Sequence, residues 1–503
     1  MKRGFVDRVK RAYRELTGDG AGSPWKAGES NRLNMDWVLS HLTPDDEVRA
    51  SLRKLRGRAR DLAKNDSYVK NFLRLMATNV IGAAGISLHS QVKTAAGEPD
   101  LATNRAIEAA WKRWATGRVT VDGKFRLLQL EQMLIKTLAR DGEVFVRKYL
   151  GFKGNPFGFA LQPIEPDLID ESYNQPAGRG QAEIRMGIEV DPLGKPVAYH
   201  IWDRPLASIN TTPRERKRIP AAEVIHIFVP ERIGQTRGIT WFDSVMVPTK
   251  MLEGYEEAEL VAARIGAAKM GFVVSKGENT GLNVDPDDPK AGQKGWDATP
   301  GSIEQLEHGQ EFQGWDPQHP TQAFPAFVKT IIRKISTGLG CSYNSLSNDL
   351  ESVNFSSMRA GKQDERDSWE VLQDLWISDF RQDIYPDWMG MALLSGALSL
   401  PSRDSSRYQD LASWGPRGWD WVDPLKDAQT AQLQLQLGLT SRRRITAKTG
   451  ERYEEILMEL KEENEAAAAA GVNIAGPTTV TVQAEKDPAD EDDDGKKHSL
   501  AIV

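Results

Sequence analysis

Apolar residues along this chain occur in blocks of helical spacing and blocks of strand spacing, which predicts a mixed α and β protein. Helical spacing covers three early segments, residues 45–82, 101–114 and 127–141. Strand patterns follow over residues 143–149, 159–164, 185–203 and 224–229. Inside the third of these, Asp191-Pro192-Leu193-Gly194 separates two apolar stretches, and proline second with glycine fourth suits a type I turn. That segment is therefore predicted to be a hairpin.

The next block predicts two helices that flank a small insert. Residues 249–271 have helical spacing, and the alanines and glycines of their second half would allow close helix packing. Residues 272–320 are rich in Gly, Asp and Pro between two short strand-like runs, so we expect an insert whose two ends lie close together. Residues 321–340 return to helical spacing with an apolar stripe formed by Phe324, Phe327, Val328, Ile331 and Ile335.

A polar segment, residues 341–355, follows the second of these helices and is uncharged except for Asp349 and Glu351. A soft polar loop of this length between two helices is usually functional. Its composition would suit a surface that touches a polyanion without gripping it, and a flexible surface connection is the alternative that stays open. The candidate contact residues in it are Ser342, Asn344, Ser345, Ser347 and Asn348.

The remaining segments predict a long helix, a further helical region and two termini of different character. The long helix begins near Ser356 or Ser357, either of which could cap it, and further helix and strand continue to residue 422. Residues 423–470 are helical again and are interrupted by two glycines. Residues 1–44 are interpreted as a partly flexible arm, and residues 471–503, with few apolar residues and a block of acids, as a disordered tail.

Composition excludes several classes of protein. The chain has 503 residues, enough for roughly two to four domains with cores of their own. Its net charge of −6 argues against bulk wrapping of nucleic acid, but not against a protein through which DNA slides. No apolar run approaches the length of about 18 residues that a membrane helix needs. The single cysteine, Cys341, excludes an intrachain disulfide and a thiolate zinc cluster.

The motifs of common catalytic sites are absent. The chain lacks the P-loop pattern, H-E-x-x-H, C-x-x-C and G-x-S-x-G. Its seven histidines have no metal-ligand spacing, and His226, inside an apolar strand, is interpreted as a core histidine with a hydrogen-bond partner. The acids Asp285, Asp287 and Asp288 are interpreted as a solvated loop in preference to a cation site. We therefore predict no enzymatic activity and no cofactor, although a carboxylate pair distant in sequence stays open.

Three cations on the helix before the polar segment are the remaining candidate functional residues: Lys329, Arg333 and Lys334. A solvated helix face is one interpretation of them, and contact with a phosphate backbone is the other. Affinity for a duplex grows steeply with each phosphate neutralised. In a ring of identical copies, a few cations per copy would form sparse belts along which DNA could still move.

Several of these segments resemble the portal proteins of tailed bacteriophages, specifically their lambda-type branch. The most specific are Gly234-Gln235-Thr236-Arg237-Gly238 and Asn354-Phe355-Ser356-Ser357. Longer stretches of resemblance cover residues 59–82, 161–170, 187–203, 222–242 and 423–456. The resemblance extends over roughly residues 45–465.

The resemblance implies an α+β portal fold, a ring oligomer with a central channel. Its parts would be the wing, two stem helices, a clip between them, a tunnel loop, a return to the wing and a helical crown inside the capsid. In this sequence the wing corresponds to residues 45–248, the two stem helices to 249–271 and 321–340, and the clip to 272–320. The tunnel loop corresponds to residues 341–355, the return to the wing to 356–422 and the crown to 423–470.

The resemblance also implies a function in which the protein catalyses no chemical reaction. A homo-oligomer, typically a dodecamer, would stand at one vertex of the virion capsid, after assembly in the host cytoplasm, and pass double-stranded DNA during packaging and ejection. Its implied partners are the terminase large subunit, the head-completion or connector proteins that replace it, and the major capsid and scaffold proteins; no membrane is implied. A minor capsid or scaffold protein without a DNA channel is the alternative, and a nucleic-acid-processing enzyme with acids distant in sequence is a third hypothesis.

Overall fold

The computed structural model describes residues 40–178, 182–205, 213–267, 271–275, 310–314, 323–351, 355–419, 424–450 and 453–472. Its helices, numbered in chain order, are α1 (Pro44–Asn65), α2 (Ser67–Met76), α3 (Leu101–Thr116), α4 (Leu127–Asp141), α5 (Met246–Ala267), α6 (Phe324–Leu339), α7 (Tyr343–Ser347), α8 (Phe355–Trp376), α9 (Gln382–Leu394), α10 (Ser406–Gln409), α11 (Pro424–Gln436), α12 (Arg442–Thr449) and α13 (Tyr453–Ala469). π-Helical turns at Ala77–Ile81 and Ile377–Arg381 continue α2 and α8.

The strands form small antiparallel sheets. They are β1 (Ser87–Ser90), β2 (Glu143–Leu150), β3 (Phe159–Ile164), β4 (Glu183–Arg185), β5 (Ile188–Val190), β6 (Pro196–Trp202), β7 (Arg216–Pro220), β8 (Val224–Phe228), β9 (Gly271–Ser275), β10 (Gln310–Gly314) and β11 (Ala412–Gly415). Strand β2 lies between β3 and β8, the four strands β4 to β7 form a meander, and β9 pairs with β10. Strand β1 pairs with β11.

The chain divides into two compact units. The larger contains the described residues of 40–81 and 90–412, and the smaller contains 82–89 and the described residues of 413–472. In the larger unit, Phe145 of β2 packs with Ile188, Tyr199 and Ile219 of the meander, so the two sheets share one core. A second apolar region joins α3 to α9, where the ring of Trp111 lies 4.9 Å from that of Trp388.

Local sequence accounts for the ends of α1 and α2. Thr43 caps α1 by accepting the amide hydrogen of Asp46 over 3.2 Å, and Pro44 takes the first helical position, where no amide hydrogen is needed. Asp66 has extended backbone and caps α2 by accepting from Val69 over 2.8 Å. The single helical stretch predicted over 45–82 is therefore two capped helices and a π-helical turn.

The predicted hairpin is confirmed. The amide of Gly194 donates to the carbonyl of Asp191 over 2.9 Å, and the Asp191 side chain accepts from the amides of Leu193 and Lys195. The strands predicted over 143–149, 159–164 and 224–229 agree with β2, β3 and β8 to within a residue. The insert predicted over 272–320 does begin and end in paired strands, with Phe272 opposite Gln313. The rest of that insert, and the greater part of the predicted arm and tail, lie outside the described residues.

A buried ionic cluster connects α1, β2, β8 and the segment 234–238. The carboxylate of Glu143, the first residue of β2, is fully buried and lies 2.6 Å from Nη2 of Arg237 and 2.8 Å from Nη2 of Arg56. His226 of β8 hydrogen-bonds the same carboxylate over 3.1 Å, and the amide of Gly238 donates to it over 3.2 Å. The interpretation of His226 as a core histidine with a partner is therefore confirmed.

The cluster fixes the charge states of its members. Burial alone would raise the pKa of Glu143, but the charge of Arg237 and the hydrogen bonds from His226 and Arg237 hold it far below its ordinary value of 4.5. Burial lowers the pKa of His226 from its ordinary value of 6.5, against the opposing effect of Glu143. Glu143 is thus charged and His226 neutral at pH 7.

Glycine is required beside the cluster because two backbones touch there. A Cβ on Gly238 would lie 2.1 Å from the carbonyl oxygen of Gly142, and a Cβ on Gly142 would lie 2.1 Å from the backbone of Ile239. Gly142 also has a φ of 88°, which side-chain-bearing residues rarely adopt.

Arg237→Met tests the cluster, because it leaves the buried carboxylate of Glu143 without its closest cation. Removing one partner of a buried ion pair costs about 3–5 kcal/mol, so we expect the free energy of unfolding in urea to fall by that order. The matched control is Arg49→Met, which removes the pair between Arg49 and Asp46, whose side chains are 54% and 41% exposed. An exposed pair of this kind contributes less than about 1 kcal/mol. Equal losses in the two variants would contradict the stabilising role of the cluster.

Candidate nucleic-acid interface

Helices α5 and α6 form an antiparallel pair, and the paired strands β9 and β10 lie between them in sequence. The ring of Tyr255 on α5 lies 5.6 Å from that of Phe324 and 5.2 Å from that of Phe327, both at the start of α6. Near the other end, a Cβ on Gly338 would lie 2.4 Å from the side chain of Val245. Helix α6 therefore lies antiparallel along the first half of α5. The two helices and the paired strands between them agree with the sequence prediction, and the interior of the predicted insert lies outside the described residues.

The polar segment after α6, described over residues 341–351, contains a capped helical turn, α7 (Tyr343–Ser347). Gly340 ends α6 with a φ of 68°, and the amides of Gly340 and Cys341 donate back to Thr337 and Ser336. Ser342 then caps α7 by accepting from the amide of Ser345 over 3.2 Å, and Asn348 ends α7 with a φ of 55°. The expectation of a soft loop over 341–355 is wrong for residues 343–347, because the small polar residues that suggested a loop are also those that cap helices.

This turn is attached to the core on its inner side. Leu346 is buried, and the side-chain amide of Asn71 on α2 donates to the carbonyls of Ser345 and Leu346 over 2.8 and 2.7 Å. The hydroxyls of Ser342 and Ser345 donate to Oε2 of Glu365 on α8, over 3.2 and 2.7 Å. Two of the predicted contact residues are thus engaged in holding the turn.

Sequence reasoning missed Asn71 and Glu365. Glu365 had a detectable signal, because it lies at helical spacing from Trp369 and Trp376 on the buried face of α8. An acid on such a face needs a partner, and the serines supply it. Burial, together with the charge of Glu365, raises the pKa of Cys341 to about 12, so the thiol is protonated at neutral pH.

The outer side of the turn is joined to α6 through Tyr343 and Asp349. The hydroxyl of Tyr343 donates to Asp349 over 2.7 Å, and Nζ of Lys329 lies 3.4 Å from the same carboxylate. Lys329 and Arg333 also lie 5.4 and 5.6 Å from the centre of the Tyr343 ring, within the range of a cation–π contact. The hydrogen bond from Tyr343, and then that from the Glu351 amide, hold the pKa of Asp349 below its ordinary value.

The remaining predicted residues separate into two groups. Ser347 donates to the carbonyl of Tyr343 over 2.7 Å, and Asn344 is half-buried. Lys334 and Asn348 are exposed, and no ion pair of Lys334 occurs among the described residues. Five positions along an α-helix amount to a rotation of about 140°, so Lys334 lies on a different face of α6 from Lys329. The structure thus brings Lys329 and Arg333 to the turn and separates Lys334 from them; contact of any of these residues with DNA stays a prediction.

Two further features of the described ranges concern function. They contain no group of three or more His, Cys, Asp and Glu side chains arranged to hold a metal ion. Among the helices described, none is both long and apolar enough to cross a membrane.

The double variant Ser342→Ala, Ser345→Ala tests whether the two serines hold the turn, Ser342 by capping α7 and both by their bonds to Glu365. Both donors to a largely buried carboxylate would be lost, and such a loss costs about 1–3 kcal/mol. We expect the midpoint of urea unfolding to fall accordingly. The control is Asn344→Ala in the same turn, which should leave the midpoint unchanged. A fall as large in the control as in the double variant would show that the two serines have no special role.

Comparisons with known proteins match most of the chain. The family model described as phage portal protein, lambda family, matches residues 30–373. A probable portal protein of Halomonas phage phiHAP-1 is 34% identical over 98% of both chains. Portal protein B of Escherichia phage lambda is 25% identical over 85% of this chain and 87% of its own length.

A solved structure, the neck of a native GTA particle computed with C12 symmetry, covers 77% of this chain and 91% of that chain. Its sequence identity is 14% and its TM-score is 0.43.

Proposed function

This chain belongs to the lambda family of phage portal proteins, and we propose that it assembles into a homo-oligomeric ring, as a dodecamer, that passes double-stranded DNA at one vertex of the capsid. The observation that carries this proposal is the 34% identity with a relative over 98% of both chains, which includes every element described above.

The helix pair and its insert support the division into regions. We assign α5 and α6 to the stem, the segment between them to the clip, residues 341–355 to the tunnel loop, and α11 to α13 to the crown. Residues 45–248 and 356–422 would form the wing. In this arrangement the capped turn at 341–351 lies at the end of one stem helix, where the proposed channel would narrow.

Exposed apolar residues support assembly of several copies. Helices α11, α12 and α13 have no buried residue in the isolated chain, and Leu433, Leu437 and Leu439 are 55–70% exposed. A run of exposed leucines is typical of a surface that another protein covers. A ring would supply such a covering surface in every copy.

The partners follow from the place of a portal in the virion. The terminase large subunit would dock on the clip and supply ATP hydrolysis, and head-completion or connector proteins would replace it when the tail is joined. The major capsid and scaffold proteins would surround the wing. The chain itself would use no cofactor and catalyse no reaction.

Electron microscopy of the purified protein in negative stain tests the proposal. We expect rings with a central opening wide enough for a DNA duplex. Closed discs without an opening would favour a minor capsid or scaffold protein, and a monomer at high concentration would overturn ring assembly. Metal-dependent cleavage of a plasmid would favour an enzyme instead.

Lys334 is the cation of α6 best placed to contact phosphate, because Lys329 and Arg333 are engaged with Tyr343 and Asp349. Each phosphate contact adds to the slope of log K against log salt. We expect Lys334→Gln to reduce that slope in duplex binding by the ring, and the matched control Lys329→Gln to reduce it less. The opposite order would place Lys329 at the DNA and remove Lys334 from it.

A further inference from the structure

The outward face of α1 is basic. Arg53, with a side chain 75% exposed, shares this face with exposed Lys54, Arg58 and Lys64. At about 100° per residue these four cations lie within about 140° of one another, and Asp61 is the acid among them. Arg53 lies 4.0 Å from Glu171, while Lys54, Arg58 and Lys64 make no ion pair with any described residue.

Gly57 lies in the middle of this basic face. It is exposed, and apart from the backbone of α1 itself no atom of the described residues lies within 4 Å of the position that a Cβ would take. Glycine in a helix interior costs about 0.5–1 kcal/mol relative to alanine. Its φ needs no glycine and none of the described residues of its own copy crowds it, so the described structure of one copy does not explain it. A side chain of another molecule seated at this point would.

The outward face of α8 has the complementary pattern. Its exposed acids are Asp364, Asp367, Glu370 and Asp374, and Val371 among them is 68% exposed. These acids lie within about 120° of one another around the helix. They make no ion pair with the described residues of their own copy. An exposed valine surrounded by four unpaired acids is an apolar point with a charged rim, the usual arrangement at a protein interface.

The two faces match in length as well as in charge. At a rise of about 1.5 Å per residue, the cations from Arg53 to Lys64 extend over about 16 Å and the acids from Asp364 to Asp374 over about 15 Å. Both helices belong to the larger unit, and each has its opposite face buried in that unit. The charges are therefore held in fixed positions, turned away from their own core.

We propose that these faces form the contact between neighbouring copies: α8 of one copy lies along α1 of the next, with Val371 seated at Gly57 and the acids beside the cations. This inference rests on the ring assembly proposed above and names the surfaces that produce it. Because the two faces differ, the contact is head-to-tail, and such a contact generates a ring when the rotation from copy to copy closes. The charges would mainly determine partner choice and register, as complementary rim charges do.

Two charge-reversed variants test the contact. The base variant carries Lys54→Glu and Arg58→Glu, and the acid variant carries Glu370→Lys and Asp374→Lys. Each alone places like charges opposite each other at every contact, so we expect the loss of rings by light scattering and negative stain. Mixed in equal amounts, the two should form rings of alternating copies, since every contact then joins opposite charges. This rescue also shows that neither variant is misfolded.

The control reverses two exposed acids that lie on neither face, Glu98→Lys and Asp410→Lys in the larger unit, and should keep its rings. If either charge-reversed variant forms rings alone, or if mixing them restores none, the contact lies elsewhere and the ring proposal stands. If the base variant loses DNA binding but still forms rings, the basic face contacts DNA and the inference is wrong. A wild-type protein that forms no ring would overturn the proposed function itself.

A disulfide provides a second measurement. The native protein has one cysteine, Cys341, and it is buried. In Gly57→Cys, Val371→Cys, oxidation should give a ladder of cross-linked copies on a non-reducing gel, because a disulfide forms only where Cα atoms approach to about 4.4–6.8 Å. Each single variant is the control and should give no ladder. A double variant that assembles into rings but stays uncross-linked would overturn the seating of Val371 at Gly57.

Discussion

A negative charge without water around it must be stabilised by fixed groups, and the position of those groups then determines the structure around it. The carboxylate of Glu143 is such a charge, and its stabilisation comes from Arg237, Arg56, His226 and the amide of Gly238. These groups come from a loop, a helix and a strand that are distant in sequence. Because an unpaired buried charge costs several kcal/mol, none of these elements can shift without loss of stability.

The same requirement determines how α1 is turned. The two terminal nitrogens of Arg56 pair with Glu143 and Asp167, and Arg60, one turn later, lies 2.9 Å from Asp141 at the end of α4. With these two residues directed inward, Lys54 and Arg58 must face solvent. The buried pair therefore fixes not only the core but also which charges the helix presents outside. On α8, Glu365 has the equivalent role, since its bonds to Ser342 and Ser345 direct the other acids of the helix outward.

Periodicity predicted most elements of the fold because it depends on neighbours a few residues apart. It could not predict the ionic cluster, because Arg56 and Glu143 are 87 residues apart and Arg237 and Glu143 are 94 apart. The resemblance drew attention to the segment 234–238, but it did not explain why the segment contains Arg237 and Gly238. The structure explains them, because Arg237 pairs with the buried Glu143 and Gly238 contacts the backbone of Gly142. The candidate site was found as a segment and misjudged as a soft loop. Serine and asparagine are common both in loops and at helix ends, so the local sequence is compatible with either structure. The contacts of Asn71 and Glu365, which come from other helices, hold the segment as a helical turn.

A fixed turn changes the physical account of how a duplex could move through the proposed channel. A soft loop would lose conformational entropy each time it met DNA, and its contacts would vary from copy to copy. A turn held by Glu365 and Asn71 presents the same few polar groups in every copy at no such cost. Weak binding can then come from sparse charge alone, because Asp349 engages Lys329 and the ring of Tyr343 contacts Arg333, while Lys334 has no ion pair with a described residue. In this account low affinity results from the number of charges that each copy exposes, while the rigidity of the turn keeps that number constant around the ring.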